Sequence, residues 1–83
     1  MIEVKAVGAL SRRLGGTSFQ LAKDSMLLLD LIRDLFKVEK RDIDGLLADI
    51  IVAVNGVAVF ESHQSVMLVS GDKVTFIPVS HGG

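Results

Sequence analysis

The 83-residue chain has no cysteine, which excludes disulfides, thiolate zinc sites, iron–sulfur ligation by the protein and a cysteine nucleophile. It has no Trp, no Tyr and four Phe, three of the Phe in plausible core positions. The aromatic platforms on which single-stranded nucleic acids stack are therefore missing. An excess of charge of one sign is also lacking: nine basic residues against ten acidic ones leave a formal charge of −1, with nothing to draw the chain to phosphate backbones or anionic lipid. Neither nucleic acid nor membrane is expected as a partner. The apolar runs at residues 26–29 and 50–54 fall far short of the roughly 20 residues that a membrane span needs. Met1-Ile2-Glu3-Val4-Lys5 lacks the basic segment and apolar run of a signal peptide. A cytoplasmic location is expected, and the lack of cysteine suits a reducing compartment.

A chain of this length has room for one domain, spanning residues 1–83, with one modest core, because such a domain buries only about 60% of its unfolded surface. With 49% hydrophobic and 23% charged residues, the composition is that of an ordered globular chain.

Ile2, Val4 and Ala6 alternate with Glu3 and Lys5, the period-two pattern of a half-buried strand. Gly8 and Gly15-Gly16 bracket a polar connection carrying Ser11, Arg12 and Arg13. Thr17, Phe19 and Leu21 then alternate as a second strand, in hairpin relation to the first. Asp24 or Ser25 is the expected N-cap of a helix. Its apolar stripe is Leu28, Leu31, Ile32, Leu35 and Phe36, with Asp30, Arg33, Asp34 and Lys37 opposite. A charged stretch at 39–44 leads through Gly45 to a weakly signalled helical turn at Leu46-Leu47. Residues 50–54 and 57–60 read as a hairpin about Asn55-Gly56, the favoured pair for a type I′ turn. After a polar stretch at 61–65 and the apolar Met67-Leu68-Val69, Gly71-Asp72 opens a last strand at 73–77. Pro78 closes it, having no amide for a ladder. One helix across one mixed sheet of about five strands follows, an α+β fold.

Conventional catalytic groups are scarce. His63 and His81 are the only histidines, the serines lack a nucleophile-elbow context, and Gly15-Gly16 lacks the rest of a phosphate-binding loop. Asp30 and Asp34 lie one turn apart, but beside Arg33 and Lys37 on a polar face where charges are usually solvated. No catalytic residue and no metal site is expected. The tail is different. Two glycines would end about half a per cent of chains by chance at a glycine usage of about 7%. Here Val79-Ser80-His81-Gly82-Gly83 follows a proline-closed strand, making a tether, residues 79–83, that ends in an unhindered carboxylate. Without Cβ atoms the last residues can thread a narrow channel. A carboxylate becomes an acyl donor once its oxygen is a good leaving group, so attack on the α-phosphate of ATP is the natural chemistry. Catalysis would belong to a partner.

Val54-Asn55-Gly56, Gly71-Asp72-Lys73-Val74 and Phe76-Ile77-Pro78-Val79-Ser80-His81-Gly82-Gly83 resemble the ubiquitin-like sulfur carriers, namely the small subunit of molybdopterin synthase (MoaD) and the thiamine sulfur carrier (ThiS). The resemblance covers essentially the whole chain and implies a ubiquitin-like β-grasp fold. It implies that an E1-like adenylating enzyme uses ATP to charge Gly83 as an acyl-adenylate, that a sulfur donor converts this to a thiocarboxylate, and that an acceptor synthase consumes the sulfur. The acceptor would be the large subunit of molybdopterin synthase or a thiazole synthase. The protein itself would bind no cofactor and would not be an enzyme. Val79 stands where the molybdopterin subunit usually has a second proline, and His81 where it has a small residue. A histidine before Gly-Gly is more similar to the eukaryotic ubiquitin-related modifier, which also conjugates to lysines. The rival expectations are therefore a modifier joined through Gly83 to lysines, and an interaction module whose diglycine is incidental.

With Val74, Phe76 and Pro78 facing the helix, Ile77 and Val79 would face solvent, and Val7, Ile51 and Ala53 would lie beside them. Exposed apolar clusters of this kind mark partner sites.

Overall fold

A computed structural model describes residues 1–60 and 66–79. The first strand follows the alternation: Ile2, Val4 and Ala6 are buried along β1 (Ile2–Ala6), while Lys5 is exposed. β2 (Ser18–Leu21) pairs antiparallel with it, setting Ile2 opposite Leu21 and Val4 opposite Phe19. The connection between them is more than polar chain. It holds a short helix, α1 (Ala9–Leu14), which buries Leu10 and half-buries Leu14. Gly8 at φ 61° admits the helix, and Gly15 at φ 81° ends it in the left-handed conformation that glycine adopts without strain.

The expected cap at Asp24 or Ser25 is not made. Residues Ser25–Leu27 form β3, antiparallel to β6 (Met67–Val69), with Met26 opposite Leu68. The helix α2 (Leu28–Phe36) starts directly from that strand, without a side-chain cap, and the Leu28 amide donates to the Val66 carbonyl at 2.9 Å. Pairing with a segment some forty residues away satisfies backbone groups that a local cap would otherwise serve, and a local signal yields to it. The apolar stripe is as expected: Leu28, Leu31, Ile32 and Phe36 are buried and Leu35 is half-buried.

A 3₁₀ turn (Lys40–Asp42) and α3 (Ile43–Leu47), which buries Ile43, occupy the charged stretch. β4 (Ile50–Val54) and β5 (Val57–Val59) form the expected hairpin. Asn55 at φ 51° and Gly56 at φ 84° supply the two positive angles that a type I′ turn requires. The last strand, β7 (Lys73–Pro78), runs parallel to β1 and antiparallel to β4. The sheet order is β2-β1-β7-β4-β5, a mixed five-stranded sheet with β7 at its centre. α2 covers one face. Val4, Val52, Val74 and Phe76 meet Leu28, Leu31 and Ile32 in the core, and the Phe36 and Phe76 rings meet edge-on at 5.2 Å.

A polar cluster pins the start of β7. The Asn55 side chain donates to Asp72 Oδ1 at 2.9 Å and accepts from the Lys73 amide at 2.9 Å, and the Val69 amide donates to Asp72 Oδ2 at 2.8 Å. These bonds tie the β4–β5 turn to the β6–β7 turn.

Candidate functional site

The tail expected from the sequence begins at the C-terminal end of β7. Pro78 lies opposite Ile50, as the last residue of the strand. One residue later the Val79 amide still donates to the Asp49 carbonyl at 2.9 Å. The expected tether of 79–83 is thus anchored at its first residue. Ser80, His81, Gly82 and Gly83 lie outside the described residues, as does His63.

The central position of β7 makes its exit rigid. It is hydrogen-bonded on both sides, and its inward residues Val74 and Phe76 are fully buried against α2, as expected. Pro78, expected on the same side, is half-buried and lies against Gly8, where an added Cβ would come 3.5 Å from Pro78 Cγ. On the opposite, open face, Ile77 is paired with Ile51, and Ala53 with Thr75. Val7, whose amide donates to the Phe76 carbonyl at 3.1 Å, continues β1 beside them and is 46% exposed. Ile51, Ala53, Ile77 and Val79 are half-buried. The expected cluster is therefore assembled by strand register, with Val7, Ile77 and Ile51 in one row across three strands.

Phe60 extends that row. The β4–β5 register sets Val54 opposite Val57 and Val52 opposite Val59, so its next step sets Phe60 opposite Ile51. Phe60 is 75% exposed. Its signal was present in the sequence: a two-residue turn at Asn55-Gly56 fixes the pairing, and alternation then separates Phe60 and Ala58 from Val59.

Other chemistry is sparse. Among the described residues no group of three or more His, Cys, Asp or Glu could hold a metal ion. Asp30 and Asp34 are exposed on α2, and Asp30 sits 3.9 Å from Arg33, the solvated arrangement expected for them. A groove of about 210 Å³ between α2 and the β2–β3 segment is lined by Leu21, Lys23, Met26, Leu31, Asp34 and Leu35, without converging catalytic groups. Asp72 titrates below the ordinary carboxylate value, because its charged form accepts the Val69 amide and, secondarily, the Asn55 side chain. It stands at the far end of β7 from the tail and is structural. Among the described residues no helix is long and apolar enough to cross a membrane.

The model of the ThiS family matches residues 4–83. The chain belongs to the ThiS family. ThiS and MoaD-type proteins are ubiquitin-fold sulfur carriers, small and not themselves catalytic. Solved structures agree on the fold. The solution structure of Urm1 from Trypanosoma brucei matches with a TM-score of 0.73 and 28% identity over 99% of this chain and 94% of that one. The crystal structure of SAMP1 from Haloferax volcanii gives a TM-score of 0.69 and 22% identity over 99% and 98%. The protein–protein complex of subunits 1 and 2 of molybdopterin-converting factor from Helicobacter pylori 26695 gives 0.63 and 21% over 99% and 97%. The architecture is therefore the ubiquitin-like β-grasp, and in that last structure a protein with this fold is complexed with a second subunit. No curated protein sequence matches the chain.

Proposed function

We propose that this ThiS-family chain carries sulfur on its C-terminal carboxylate. An E1-like adenylating enzyme binds the open face of the sheet and takes up the tail. A Gly83 carboxylate oxygen attacks the α-phosphate of ATP, pyrophosphate leaves, and the carboxylate becomes an acyl-adenylate. A sulfur donor at the oxidation level of sulfide then attacks the acyl carbon. The bond to AMP breaks, and the terminus becomes a thiocarboxylate. Gly82 gives steric clearance, and Ser80 and His81 are the reach of the tether. The sulfur goes to an acceptor synthase of the molybdopterin or thiazole type, in the cytoplasm. The observation that carries this reading is the extent of the family match, which runs to residue 83 and so includes the diglycine.

The cognate adenylating enzyme, ATP and a sulfide source provide the test. The intact mass should rise by the exchange of one oxygen for one sulfur at Gly83, and deletion of Gly83 should abolish the exchange. An uncharged wild-type protein would contradict the reading. Within the same account, Ile77→Asp should weaken binding to the adenylating enzyme by about tenfold or more, because a charge at the centre of an apolar contact must be desolvated. Unchanged binding would remove the open face from the docking surface.

His81, ahead of Gly82-Gly83, favours a second role as a modifier. In that case Gly83–lysine isopeptides would be found by mass spectrometry of cell lysate.

A further inference from the structure

The C-terminal ends of α1 and α2 converge beside the root of the tail. Arg13, in the last turn of α1, holds its guanidinium carbon 5.3 Å from the centroid of the Phe36 ring, and Phe36 is the last residue of α2. Phe36 meets Phe76 of β7, and Gly8 at the head of α1 lies against Pro78. Both helix ends therefore sit over the C-terminal half of β7, on the side opposite the apolar row of Val7, Ile77 and Ile51.

These two helix ends carry three exposed cations: Arg12 and Arg13 in the last turn of α1, and Lys37 at the C-cap of α2. Among the described residues none of them has a carboxylate at ion-pair distance, whereas Arg33 has Asp30 at 3.9 Å and Arg41 has Glu39 at 2.9 Å. Basic residues at helix C-termini have an ordinary reason, since they complement the partial negative charge of the last carbonyls. That reason does not explain the backbone of Lys37. It caps α2 at φ 56°, ψ 46°, a left-handed conformation in which glycine is the usual residue and a lysine is disfavoured. A disfavoured backbone retained at one residue points to a use for its side chain. Arg13, fixed over a ring, is pre-positioned to meet a carboxylate with its planar fork.

We infer that Arg12, Arg13 and Lys37 form a cationic corner that docks an acidic surface of the enzyme that takes up the tail. The inference rests on the function proposed above and adds the chemistry of the partner. An enzyme that takes up the chain beyond Pro78 meets an apolar row on one side and this corner on the other, so it must complement both. A protein partner fits better than nucleic acid: the chain's net charge is −1, and the Phe36 ring is 6% exposed beneath Arg13, leaving no face for a base to stack on.

The test is steady-state adenylation of the intact chain by its cognate enzyme, with wild type, Arg12→Glu/Lys37→Glu and Lys37→Gly compared across a salt series. Steering by opposite charge predicts that the double variant raises KM by about tenfold at low salt with kcat unchanged. It also predicts that wild-type KM climbs with salt while that of the double variant stays flat. Lys37→Gly removes one cation and relaxes the backbone, so it should raise KM by a smaller factor while the protein folds at least as well. Equal KM and equal salt dependence in wild type and the double variant would overturn the corner and leave the carrier function standing. So would binding of a short RNA duplex that the double variant loses while its KM is kept, since that would assign the cations to nucleic acid. A wild-type chain that is not adenylated at all would overturn the proposed function, and this occupant with it.

Discussion

Asp72 contributes to the fold only as a carboxylate. Both of its oxygens accept hydrogen bonds, from the Val69 amide and the Asn55 side chain, and these hold its folded-state value below the ordinary 3.8. The sign follows from linkage: a group more acidic when folded adds stability above its unfolded value and loses it as pH falls through the folded one. Urea denaturation at neutral pH and at about pH 3 should therefore show wild type losing stability on acidification. Asp72→Asn should start lower at neutral pH and lose less on the way down. Equal pH slopes would remove Asp72 from this role. Lys37 works in the opposite sense, since it occupies a position built for glycine. Lys37→Gly should raise the unfolding free energy by about 0.5–1 kcal/mol in the same experiment, because relief of left-handed strain outweighs the added freedom of the unfolded chain.

At the scale of elements, stability depends on a pairing that no local pattern announces. β3 and β6 are three residues each, and Leu68, fully buried between its exposed neighbours Met67 and Val69, is the link from that ladder to the core. Leu68→Ala should cost about 3 kcal/mol, read as a lower denaturation midpoint with the slope kept. A loss below about 1 kcal/mol would mean that this ladder is peripheral. The main strands and α2 were legible because each carries enough periodic residues to show one buried face: Ile2, Val4 and Ala6 in β1, and Leu28 through Phe36 in α2. α1 was not legible, since its inward stripe is only Leu10 and Leu14 and the flanking Gly8 and Gly15-Gly16 read as turn. The helix start was misplaced for a related reason. Asp24 and Ser25 carry the chemistry of a cap, but Ser25–Leu27 finds its hydrogen bonds in β6, far along the chain. The apolar row on the open face was legible to the extent that register is: alternation predicted Ile77, Ile51 and Val7, whereas Phe60 required the turn geometry to be carried three pairs outward.

The whole molecule is polarised along β7. One end is locked by Asn55 and Asp72, and the other, at Pro78 and Val79, lies between an apolar sheet face and a cationic corner. β7 is hydrogen-bonded on both sides, and in the function proposed above its flanks are what the adenylating enzyme recognises. Removing the end of the tether should then separate function from folding, because a chain terminus contributes almost nothing to stability. Deletion of Gly83 should leave the thermal midpoint within about 1 °C of wild type. The most direct test is the intact mass of the protein after incubation with its adenylating enzyme, ATP and a sulfide source. We expect one oxygen replaced by one sulfur at Gly83 in wild type and no change in the deletion variant. A wild-type mass that stays unaltered, or a sulfur located anywhere but the terminal carboxyl, would contradict the account.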